Sequence, residues 1–201
     1  MTSRRVGIAI SGSGSNMEKL IQSMTGDHPG RPVLVVSNRA DAGGLAKAQA
    51  LGVKTVVVPS KGRPKPAFEA DLQAALASAE VEVLCLAGFM RVLSLDFVAG
   101  WTDRILNIHP SLLPLFKGLD THARALASGM AIHGCSVHRV TADLDDGPIL
   151  GQAVIPILSG DTPDDLAERL LPMEHLLYPQ VLRAFLSGAR DKTVLFGPDN
   201  A

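Results

Sequence analysis

Asn107 and His109 flank a single apolar residue, Ile108, at the end of the short apolar run Ile105-Leu106. In an extended chain, residues two apart project to the same side. An amide that donates a hydrogen bond and an imidazole that titrates near neutrality then face one space. That pairing suits acyl chemistry. Taken alone, the same two residues also serve as a strand cap and a turn histidine. Pro110 and Pro114 stiffen the exit and forbid a helix directly after it.

Three other stretches carry residues that could meet a ligand. Ser11-Gly12-Ser13-Gly14-Ser15-Asn16 follows the apolar residues 6–10 and precedes a helix-like segment, 17–24. Strand, glycine-rich turn and helix make an anion site, because backbone N–H groups approach closely and the helix start adds its positive dipole. The dinucleotide fingerprint needs a third glycine where Met17 stands, and no Gly-Lys-Ser/Thr occurs. The loop suits one terminal phosphate, although the same spacing also serves as a plain strand-to-helix turn. Residues 59–66 carry Lys61, Arg63 and Lys65 among prolines, as either a solvated loop or a cationic seat for an anionic tail. Residues 88–93 (Gly-Phe-Met-Arg-Val-Leu) form an apolar loop that is either core or a wall for a flat heterocycle.

The elements that position these loops alternate. Strands are expected at 6–10, 32–37, 54–58 and 81–87 and before Asn107, with helices at 17–24, 42–51 and 68–79 and a short one capped by Ser94. The expected fold class is α/β, a mostly parallel sheet with helices on both faces, and ligands then gather at the carboxyl ends of its strands. All four stretches lie at such ends. Asp41 is expected to begin a helix rather than hold a ribose. A helix at 121–128 leads to a hairpin-like antiparallel return, 132–140 and 149–157, tipped by Asp143, Asp145 and Asp146. A carboxylate returning from that tip to His109 would keep the imidazole a competent acid near neutral pH. Thr162-Pro163-Asp164-Asp165 starts a long helix that Pro172 and Pro179 should kink or interrupt. The tail from about residue 189 reads as polar and frayed.

Composition narrows the classes. The chain has 201 residues, 46% of them hydrophobic, with a formal net charge of −1. One globular domain over 1–201 is expected, with neither a nucleic-acid footprint nor a membrane partner. The apolar run 81–90 is too short to span a bilayer, and residues 6–10 are too few for a signal peptide. Cys85 and Cys135 lie in strand-like runs without metal-ligand spacing, so a metal site is not suggested and the cytoplasm is expected.

With the loops laid out, the chain resembles the folate-dependent glycinamide ribonucleotide formyltransferases. The segments that match, in order, are 10–16, 86–93, 107–114, 133–138, 145–148 and 174–179, so the likeness covers residues 5–187. It implies a Rossmann-like formyltransferase fold and formyl transfer from 10-formyltetrahydrofolate without a metal. It implies catalytic roles for Asn107, His109 and Asp145, with Asn107 and protonated His109 stabilising an oxyanion. It further implies a phosphate on Gly14, Ser15 and Asn16, and a ribose contact from Glu174. The folate would lie against Met90, Arg91, Val92, Leu93 and Asn107, its glutamate tail near Lys65. The partners implied are small molecules, and the state a monomer or homodimer.

Lys65 stands where relatives often carry arginine, Asp146 where glycine is common, and Pro172 two residues before Glu174. A methionyl-tRNA formyltransferase would bring a further domain and a basic face, and a formyltetrahydrofolate deformylase an amino-terminal domain. A non-catalytic folate or nucleotide binder is disfavoured by the intact Asn107, His109 and Asp145, and a nicotinamide dehydrogenase by the glycine spacing.

Overall fold

A computed structural model describes residues 3–197, in two compact units that divide between Asn107 and Ile108. The first unit alternates β1 (Arg4–Ile10), α1 (Ser15–Ser23), β2 (Gly30–Ser37), α2 (Gly44–Ala50), β3 (Thr55–Val57), α3 (Lys65–Ser78), β4 (Val83–Leu86) and α4 (Leu95–Gly100). β5 (Ile105–His109) begins there and ends in the second unit. The strands of the first unit lie in the order β3-β2-β1-β4-β5, and every pair among them is parallel.

The burial pattern explains the continuous apolar runs. Ile8, Ala9 and Ile10 of β1, Leu34 and Val35 of β2, and Leu84 and Cys85 of β4 are fully buried. A strand buried on both faces has no polar side to alternate with. Between β1 and β2 the register slips at Val6/Gly7, where Pro32 stands opposite Val6. A proline has no ladder N–H to give, so a bulge is the place for it within a sheet. Ser94 caps α4 as expected, its hydroxyl accepting from the Phe97 N–H at 3.2 Å.

The second unit holds α5 (Thr121–Ala127), β6 (Ile132–Arg139), β7 (Ile149–Pro156), α6 (Pro163–Leu186) and β8 (Thr193–Phe196). Its strands run β6-β7-β8, β6 and β7 antiparallel and β7 and β8 parallel. This is the mostly parallel α/β fold with the antiparallel return that the alternation predicts.

Four sequence-based expectations change. α6 runs unbroken through Pro172 and Pro179. Its buried stripe, which includes Leu166, Leu170, Met173, Leu177 and Val181, outweighs two missing helix bonds, since each such side chain contributes roughly 1.5–3 kcal/mol. Pro172 is exposed and Pro179 is off that stripe, seven residues on, so both fall on the wetter side. The tail after residue 189 is not frayed throughout, because 193–196 pair with β7 as an edge strand. Lys65 opens α3 instead of ending a loop, with Pro66 in the first turn, where its fixed φ fits. Asp41 does not begin α2; it binds the Arg39 guanidinium at 2.7 and 3.0 Å.

Candidate functional site

In the first unit the loop after β1 turns through Gly14, whose φ of 71° is open to glycine without strain, and enters α1 with no side chain capping it. Helix-start N–H groups left uncapped are an anion's natural partners. The turn is pressed tightly against α2. A methyl built on Gly14 would come within 2.9 Å of the Gly44 Cα, and one on Gly44 within 3.0 Å of the Gly14 Cα. Gly44 N–H also donates to the Gly12 carbonyl at 3.0 Å. The sequence reading missed Gly44, whose partner lies thirty residues away in the chain.

This loop lines an open cleft of about 910 Å³ at the carboxyl ends of β1 to β4. Gly14, Ser15 and Asn16 line it together with Met90 and Arg91. Lys61 adds positive charge to its wall, while Arg39 is paired there with Asp41. Val92, Leu93 and Lys65 are not among the lining residues. Arg63, from the same basic stretch, is engaged with Asp71 at 2.7 Å.

The loop from Gly88 to Leu93 is fastened at both ends and open between. The Phe89 ring stacks on Phe68 of α3, with centroids 6.4 Å apart. Ser94 N–H donates to the buried Glu69 carboxylate at 2.6 Å. Met90 at 71% and Val92 at 60% exposure stand clear of that frame. Two large apolar side chains held out on a fixed loop suit a flat ring system.

β5 presents Asn107 and then His109, with Asn107 half-buried and His109 buried. In the second unit His109 Nε2 lies 3.0 Å from the Phe116 carbonyl, and its Nδ1 lies 3.4 Å from Asp145 Oδ2. A carbonyl only accepts, so Nε2 carries hydrogen. Both ring nitrogens therefore face acceptors. On its other side Asp145 faces His138 Nε2 at 3.6 Å and accepts from the Gly118 N–H at 3.0 Å. Burial pushes the Asp145 carboxyl upward. The His138 ring, the Gly118 amide and the charge of His109 together outweigh burial and hold it below the ordinary carboxylate range.

Asp145 thus folds back to His109 from the hairpin tip, as one of the three tip acids had to for the sequence reading to gain weight. Asp146 pairs with Lys117 instead, so the second carboxylate is spent on the 116–120 segment. Phe116, Asp120 and Asp145 all adopt left-handed backbone, with φ of 55°, 57° and 49°. Strain of this kind in non-glycine residues concentrates at functional sites. His138 and the Phe116 carbonyl were missed as His109's environment, because only tertiary contacts bring them there.

Glu174 sits on α6, half-buried, close enough for its charge to add to the burial that pushes the Cys135 thiol up. A histidine pair lies in the same unit, with His122 Nδ1 3.0 Å from His133 Nε2 and the rings edge to face. Among the described residues no helix is long and apolar enough to cross a membrane.

The chain is similar to known proteins over most of its length. The formyl transferase family profile matches residues 4–182. The phosphoribosylglycinamide formyltransferase of Escherichia coli (strain K12) is 42% identical over 183 residues, covering 90% of this chain and 86% of that one. The trifunctional purine biosynthetic protein adenosine-3 of Bos taurus is 42% identical over 187 residues, covering 92% of this chain. The chain spans only 18% of that protein's length, and between 14% and 19% of such trifunctional relatives generally. The crystal structure of phosphoribosylglycinamide formyltransferase from Brucella melitensis superposes with a TM-score of 0.88 at 51% identity, covering 95% of this chain and all of that one.

Proposed function

This chain belongs to the formyl transferase family, among its phosphoribosylglycinamide formyltransferases, and on that premise we propose that it moves the formyl group of 10-formyltetrahydrofolate to the amine of glycinamide ribonucleotide in purine biosynthesis. The observation that carries the reading is His109, fastened by Asp145 at the end of the strand that delivers Asn107.

The amine nitrogen attacks the formyl carbon, and the carbonyl electrons move onto oxygen. The Asn107 amide and a His109 N–H donate to that oxyanion. Its collapse restores the carbonyl and breaks the bond to the folate nitrogen. The proton shed by the amine ends on that nitrogen, giving formylglycinamide ribonucleotide and tetrahydrofolate. Asp145 holds His109 charged and oriented. In the present conformation Nε2–H is spent on Phe116, so the formyl oxygen takes the place of that carbonyl when the co-substrate binds. Asn107 and His109 supply the charge stabilisation that a metal would otherwise give.

The ribonucleotide phosphate rests on the amides of Gly14, Ser15 and Asn16, and Glu174 meets the ribose. The pterin lies against residues 90–93. Lys65 serves the anionic glutamate tail as a point charge without the bidentate grip of arginine. Residues 1–201 act as one catalytic domain in the cytoplasm, as a monomer or homodimer.

The test is transfer from 10-formyltetrahydrofolate to glycinamide ribonucleotide by the purified chain. Turnover should require the ribonucleotide and fall about 10²–10⁴-fold in His109→Ala. Formate release without the acceptor would replace transfer by hydrolysis. Tight folate binding with no turnover would leave a binding protein.

A further inference from the structure

Ser11 stands between the anion loop and the loop after β4, and its hydroxyl is used twice. It accepts from the Met90 N–H at 2.8 Å and donates to Asn38 Oδ1 at 2.6 Å. Asn38 Nδ2 donates onward to Ser60 Oγ at 3.0 Å. The Met90 N–H takes one acceptor site of the Ser11 hydroxyl, the hydroxyl hydrogen goes to the Asn38 oxygen, and the Asn38 nitrogen is left to donate to Ser60. Ser11, Asn38 and Ser60 are 5%, 7% and 7% exposed, so losing a partner leaves a largely buried polar group less well satisfied. The backbone adds a second tie, Ser11 N–H to the Gly88 carbonyl at 3.1 Å.

We propose that Ser11, oriented by Asn38, is a positioning residue that couples occupancy of the anion loop at Gly12–Asn16 to the geometry of the loop at Gly88–Leu93. Any shift of the turn at Gly12 as its amides close on a phosphate must be shared by Ser11. Ser11 is tied to the Met90 amide and to the Gly88 carbonyl by one hydrogen bond each, so a shift of Ser11 is passed to both. A phosphate therefore stiffens the neighbouring loop before the second ligand arrives, which is a coupling free energy between two seats. The inference rests on reading these loops as the ribonucleotide and formylfolate seats.

Amide hydrogen exchange on the full chain, with and without saturating inorganic phosphate, tests it directly. Phosphate should slow exchange at Met90 about three-fold or more. Ser11→Ala should lose that difference, read at a phosphate concentration that saturates the variant. Asn38→Ala should lose it from the other end of the chain, and Ser11→Thr, which keeps the hydroxyl, should retain it. In turnover, Ser11→Ala should raise KM for both substrates while kcat changes little. Protection that survives both alanine variants overturns the coupling, as does wild-type protein whose Met90 amide is indifferent to phosphate. The two readings separate cleanly. Ser11-dependent protection in a protein that transfers no formyl group removes the activity and keeps the coupling. Turnover without such protection does the reverse.

Discussion

His109 has an acceptor on each side of its ring, the Phe116 carbonyl at 3.0 Å and the Asp145 carboxylate at 3.4 Å. What the imidazole can donate, and to what, follows from those two groups. The Gly118 amide and the His138 ring help keep Asp145 ionised against its burial. Asp145→Asn keeps an oxygen near Nδ1 and removes the charge. Ribonucleotide affinity should then change little, while kcat falls on the order of 10²-fold or more, as for loss of an acid–base partner. Steady-state kinetics beside a binding isotherm decides this. Undiminished kcat would remove Asp145 from the mechanism. The ionised form of Asp145 contributes stability above the ordinary carboxylate range, and that contribution fades as pH falls through its lowered folded value.

Among the elements, the junction of β1, α1 and α2 leaves least room. Gly44 admits no side chain: an added methyl would meet Ile10 Cδ1 at 2.6 Å and the Gly12 carbonyl at 3.2 Å, besides the Gly14 backbone. The Ile10 side chain can turn aside, but the two backbone contacts cannot. Gly44→Ala should therefore push α2 away from the anion loop. We expect KM for the ribonucleotide to rise several-fold and the protein to lose about 1–3 kcal/mol, the usual range for overpacking. Thermal melts and initial rates measure the two effects. A melting temperature and KM equal to wild type would show that the loop yields freely. The opposite tolerance is seen in α6, where Pro172 and Pro179 fit because they lie off the buried stripe.

For the molecule as a whole, pH enters stability through buried histidine. His133 is 1% exposed, and burial, then the charges of His122 and His109, lower its pKa to about 4. His122 is lowered in the same direction, mainly by burial. The unfolded chain takes up the His133 proton near 6.5, before the folded chain does, so the unfolded state binds more protons between about pH 6.5 and 4. Stability is full above that window and declines as pH falls through it. His133 accounts for up to about 3 kcal/mol of the loss. Denaturant midpoints between pH 7.5 and 4.5 should fall accordingly, and His133→Gln should flatten the curve. A wild-type midpoint that holds steady to pH 4.5 would mean His133 accepts its proton without cost.

The sequence by itself determined the alternation of strand and helix, the glycine turn ahead of α1 and the two-residue spacing of Asn107 and His109. Each depends on near neighbours: apolar runs, a glycine turn ahead of a helix, a two-residue spacing along a strand. The residues alone left open which tip acid meets His109, and the resemblance implied Asp145; the tertiary structure shows the physical difference, since Asp145 and Asp146 are adjacent and one side chain meets His109 while the other meets Lys117. It also decided that Thr193–Phe196 is a strand. Four residues after a charged stretch carry too weak a pattern, and β7, which supplies their partner groups, lies some forty residues earlier. The link from Ser60 through Asn38 and Ser11 to Met90 joins four loops at long sequence separation. Hydrogen bonds of that kind leave no local period in the sequence, because their partners become neighbours only when the sheet has formed.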